Sequence, residues 1–147
     1  MIQQCLTTSF KLQLLEGAHD FRAITGNTFK IALYTSLATL NSSTTAYTGE
    51  YEVEADGYTA GGNTLVNVAP TSYGVTAYTS FETTSWSGNA ITARGALIYN
   101  STPVHTYTDP SVMVLDFGMD RTAVGGSFQI TFPTFNFQYA IIRLGTN

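Results

Sequence analysis

The residues with the strongest chemical suggestion lie in the stretch Val114-Leu115-Asp116-Phe117-Gly118. Asp-Phe-Gly carries a magnesium ligand in protein kinases, where it works with a glycine-rich loop, a strand lysine and a His-Arg-Asp catalytic loop. None of these accompanies it in this chain of 147 residues. The stretch also ends an apolar run, SVMVLDFG (111–118), so Phe117 can return to a core while Gly118 starts a turn. Asp116 is therefore expected to be structural.

The remaining candidates each have a specific chemistry and a plainer alternative. Arg94 in ITARGALIYN and Arg143 in AIIRLG interrupt apolar strands. A buried arginine without a partner is costly, so each is expected to pair with a carboxylate or reach water, and Asp116 or Asp120 could supply the charge. Arg94 with Asp116 is the expected buried structural pair. His19 and His105 lack a metal-ligand spacing and read as loop residues. Glu50, Glu52, Glu54 and Asp56 alternate, which on an extended segment puts four carboxylates on one side. That suits a solvated loop better than a cation site, because calcium-loop spacing is absent. Cys5, the sole cysteine, excludes an internal disulfide and reads as a small apolar residue near a helix. Trp86 in TSWSG is a core residue or a platform for sugars. Asn41-Ser42-Ser43 and Asn100-Ser101-Thr102 match glycosylation sequons, which weigh little without a secretion signal. No set of acid, base and nucleophile can be assembled, so a non-enzymatic role without cofactor or metal is expected.

The elements that would carry these residues are mostly strands. Leu6, Phe10 and Leu14 fall at i, i+4 and i+8, with Thr7, Thr8 and Ser9 as candidate caps and Gly17 as a stop, which predicts one short amphipathic helix. Such a helix is marginal alone and must dock this stripe on the sheet or on a neighbouring subunit. From Phe29 the period becomes two. Strands are predicted at 29–36, in 58–68 after a Gly-Gly break, and at 75–82, 85–88, 90–94, 96–100, 111–118, 127–132 and 139–145. In 75–82 the inward face would carry Val75, Ala77, Thr79 and Phe81. The polar segment 40–57 suits an exposed loop or arm. Short strands at this spacing give an all-β domain, a β-sandwich or jelly-roll-like fold or a barrel, with a helix and linker over 1–25 and the sandwich over 29–147.

Composition agrees. Charged residues are only 11% of the chain and hydrophobic residues 44%, while threonine is about one residue in six, a mixture suited to pleated, half-buried surfaces. The net charge of −4 with scattered basic residues disfavours nucleic acid. No apolar run reaches the roughly 20 residues that cross a bilayer, and the first residues lack the pattern of a secretion signal, so a soluble, non-exported protein is expected.

The order FKIALYTSLATLNSSTTAYT (29–48), GYTAGGNTL (57–65), ITARGALIYNST (91–102), VLDFGMDRT (114–122) and FQITFP with AIIRLG (128–145) resembles a group of small tailed-phage proteins, over nearly the whole chain after the helix. This sequence is longer around TPVHTYTDPS (102–111). The resemblance implies a virion component, assembled in the host cytoplasm, and carries over no catalytic residue. The leading expectation is a capsid decoration or cement protein that bridges major capsid protein subunits as a symmetric oligomer, through broad uncharged contact faces. A tail, neck or fibre-attachment component and a carbohydrate-binding module are the alternatives.

Overall fold

The computed structural model describes residues 1–145. Its strands are β1 (Cys5–Leu6), β2 (Phe29–Tyr34), β3 (Asn63–Thr64), β4 (Asn67–Tyr73), β5 (Thr76–Phe81), β6 (Thr84–Ser87), β7 (Thr92–Asn100), β8 (Ser111–Thr122), β9 (Ser127–Ile130) and β10 (Ile142–Leu144). One helix, α1 (Thr8–Leu15), follows β1. The chain is all-β apart from this helix. Antiparallel pairing builds a five-stranded sheet in the order β1-β8-β7-β2-β3, a three-stranded sheet β10-β5-β4 and a two-stranded sheet β6-β9. Among the described residues the sheets do not close into a barrel.

The five-stranded sheet is buried on both faces, as the continuous apolar run Ile31–Tyr34 of β2 requires. Ile31, Leu33, Ala96, Ile98, Met113 and Leu115 face the larger core, which α1 and the two smaller sheets cover through Phe10, Phe81, Trp86, Phe128 and Ile142. Ala32, Tyr34, Leu97, Tyr99 and Val114 face a second cluster, closed by Ile2, Ala38 and Leu40, with Tyr47 packed against it. The polar segment 40–57 is thus no free arm. It folds back over this second face, with Leu40 and Glu52 buried and Val53 reaching the larger core, because an apolar sheet face left open to water would be costly.

The N-terminal reading needs correction. Leu6 lies in β1, opposite Met113, and not on the helix. Thr7 is extended (φ −69°, ψ 152°) and caps the helix, accepting the Phe10 N–H at 3.3 Å. Phe10 is buried in the chain's own core with Leu6 and Leu14 packed against that core, while Leu12 and Leu15 face outward. The Leu6, Phe10 and Leu14 stripe therefore docks within the molecule. Residues 1–25 are part of the sandwich, since Ile2 also bridges Leu40 and the Gln3 N–H donates to the Leu40 carbonyl. The inward face of β5 is corrected as well. Val75 and Ala77 are exposed and only Thr79, Ser80 and Phe81 are buried, because the β4–β5 hairpin projects beyond the core at its tip. Segment 102–111 packs inward through Val104 and reaches the C-cap of α1, where Tyr107 donates to Glu16 at 2.9 Å.

Candidate functional site

Asp116 sits where β8 bulges away from β7. Ala93 lies opposite Arg121 and Gly95 opposite Asp116, so Arg94 alone faces residues 117–120. The Asp116 carboxylate accepts the Gly118 N–H at 2.8 Å and an Nη1–H of Arg94, which hold its pKa below the usual carboxylate range. Gly118 supplies the positive φ (+78°) that the bulge needs. Arg94 and Asp116 are paired, but at the sheet margin, each side chain about a quarter exposed, and not in a buried site. Val-Leu-Asp-Phe-Gly is a strand turning through a bulge, with Phe117 brought to 6.2 Å from Phe128. Arg143 is exposed and donates to the Gln138 carbonyl, with no carboxylate partner among the described residues.

The acidic run does not put its four carboxylates on one side. Tyr51 adopts φ +61°, the extended alternation breaks, and Glu52 turns inward to 6% exposure while Glu50, Glu54 and Asp56 face water. One Glu52 oxygen accepts from the Tyr58 hydroxyl at 2.5 Å and the Gly61 N–H at 2.7 Å, and the other from the Tyr47 hydroxyl at 2.6 Å. Tyr47 stacks on Tyr99, whose hydroxyl donates to the Gly61 carbonyl, and the Tyr34 hydroxyl donates to Thr48. Burial first and the Glu52 hydrogen bond second push the Tyr47 phenol up to about 12, and those of Tyr58, Tyr34 and Tyr99 are also raised, chiefly by burial. Charge-assisted bonds of this kind fix a loop, and Glu52 ties segment 47–61 to the sheet. No sequence pattern announced this centre, since Glu52 was hidden among three solvated acids.

His19 lies in a loop, as expected, but is buried. It is 8% exposed among Phe10, Phe21 and Phe29. Its Nε2 lies 2.8 Å from Gln13 Oε1 and its Nδ1 3.1 Å from Asn100 Nδ2. Asn100 can only donate through that amide, so the ring is neutral with its proton on Nε2, and burial lowers its pKa to about 4. Asn100 itself is fully buried, which removes its sequon from any surface chemistry. His105 lies in a turn at φ +50° and is exposed. Cys5 is half-buried in β1, packed on the second cluster, and burial raises its thiol pKa. No group of three or more His, Cys, Asp or Glu among the described residues is placed to hold a metal ion, and no helix there is long and apolar enough to cross a membrane.

Trp86 is 4% exposed, between Tyr58 and Phe128, and its indole N–H has no hydrogen-bond partner among the described residues. It is a core residue, one of the two roles its sequence context allows, and it cannot stack on a sugar. Apart from Tyr51, the strongly exposed aromatic residues lie instead around the three-stranded sheet. Tyr73 stacks on Phe137 at 4.8 Å and Tyr78 lies 5.1 Å from Phe135. Tyr73 and Tyr139 are each at least 60% exposed, as is Val75 at the hairpin tip. Comparison with known protein families, curated proteins and solved structures returned no match. The arrangement offers two buried polar centres that hold the fold and one aromatic surface open to solvent.

Proposed function

We propose that this protein is a structural component of a phage particle, and specifically a decoration or cement protein that binds the major capsid protein as a symmetric oligomer. The observation that carries the reading is the exposed aromatic surface that Tyr73 of β4 forms with Phe135, Phe137 and Tyr139 of the turn before β10, beside a charge-poor sheet. Aromatic rings exposed together in this way are costly to leave in water and suit the core of an interface. The resemblance of its sequence phrases to small tailed-phage proteins suggests the context, and repetition on a lattice would multiply modest contacts into firm attachment. A tail or neck position is the second reading, supported by the same resemblance. Quantifying the protein in purified virions tests both. Copies on the order of hundreds fit the capsid and about a dozen or fewer fit the tail, as their symmetries require. Absence from mature particles refutes both.

A further inference from the structure

The end of β8 and the start of β9 form a hairpin that opens after a single rung. Val124 and Ser127 exchange backbone hydrogen bonds, Val124 N–H to Ser127 at 2.9 Å and Ser127 N–H to Val124 at 3.2 Å. Beyond that rung the arms part. Arg121 and Thr122 stay with β7, and β9 crosses to β6. Between the arms lies an open groove of about 510 Å³, walled by Phe117, Arg121 and Thr122 on one side and by Ser127 through Ile130 on the other. That is within the size range of ligand sites.

The alternation of backbone direction fixes what the groove presents. Ala123 donates to Ile91 toward β7, so Thr122 and Val124 turn the other way. Gly126 accepts from Gly88 toward β6, so Ser127 and Gln129 turn away from β6. Thr122 and Gln129 would make the next rung of the hairpin. They do not pair, and neither backbone has another backbone partner in the groove among the described residues. Two strand edges thus face each other across a wedge floored by the rings of Phe117 and Phe128. Arg121 is exposed, is the only charged residue lining the groove, and has no carboxylate within ion-pair distance among the described residues.

We propose that this wedge is a strand-addition site for an extended peptide of a partner protein, one with an acidic side chain toward Arg121 and apolar side chains toward Phe117 and Phe128. Main-chain bonds to Thr122 and Gln129 supply affinity, and the alternate side chains supply selection. The occupant is a strand because only an extended backbone matches both unpaired edges, and it is acidic because the one free charge in the groove is a guanidinium. The inference does not depend on the particle assignment.

The test is an amide chemical-shift titration of the full chain with an acetylated, amidated heptapeptide of alternating valine and threonine carrying one central glutamate. Shifts centred on Thr122 and Ser127–Ile130 are expected, with binding about five-fold weaker for the lysine-centred peptide or for Arg121→Glu. Combining that peptide with that variant should restore binding. Methylating alternate peptide nitrogens should abolish it. Absence of shifts at Thr122 and Gln129, or equal binding of the methylated peptide, overturns the proposal. Shifts that follow protein concentration without peptide also overturn it, by making the occupant a second copy of the chain.

Discussion

Glu52 shows how one side chain can hold a loop on a sheet. In Glu52→Gln the amide oxygen can keep Tyr58 and Gly61, while Tyr47 must turn to accept, so only charge assistance is lost, about 1–2 kcal/mol by denaturant unfolding. Glu52→Ala leaves three donors without an acceptor and should cost about 3–5 kcal/mol, with new protease cleavage in residues 46–60. Equal costs for the two would mean that the carboxylate is not the organising group. His19 gives a pH signature. Unfolded histidine takes up its proton near pH 6.5 and folded His19 only near pH 4, so between those values the unfolded state binds more protons. Stability should therefore fall as pH is lowered through that window, by up to about 3 kcal/mol, and the slope should flatten in His19→Gln.

At the level of elements, what could be read from the sequence followed from local period. β2, β8 and β9 stand where alternation or continuous apolarity put them, and 90–94 and 96–100 proved to belong to one strand, with β8 bulging opposite Arg94. What escaped depended on distant partners. His19 meets Asn100, 81 residues away, and segment 40–57 reads as solvent-facing because its few anchors, Leu40, Glu52 and Val53, are diluted among serines and threonines. The helix starts at one of its expected caps, Thr7, but Leu6, which shares the helical spacing of Phe10 and Leu14, pairs as a strand. Thr7 is the hinge between these states, fully buried, accepting from Phe10 and from the Ser111 hydroxyl at 2.9 Å. Thr7→Ala should cost about 1–2 kcal/mol in denaturant unfolding. Deleting residues 1–20 should unfold the domain, because it removes β1, Ile2 and Phe10 together; loss of the cooperative transition in circular dichroism is the check. Gly62 is a second fixed point. Its φ is +72°, and a Cβ would lie 1.8 Å from the Ile31 carbonyl oxygen, so Gly62→Ala must displace the turn that delivers Gly61 to Glu52.

For the molecule as a whole, the aromatic surface and the core are separable. Replacing Tyr73 or Phe137 by serine removes an outward ring, so the melting temperature should move by only a few degrees while retention on purified particles drops. Retention unchanged in both variants would remove the contact surface from the particle reading. A wider consequence comes from the central sheet, whose two broad sides are already roofed by the chain itself. Nothing can be laminated onto it. Neighbours can be added only at its rims, so a growing assembly would extend sideways as a single-layer tiling, with solvent-exchange protection gained at strand ends and hairpin tips and none in the middle of β2 or β7.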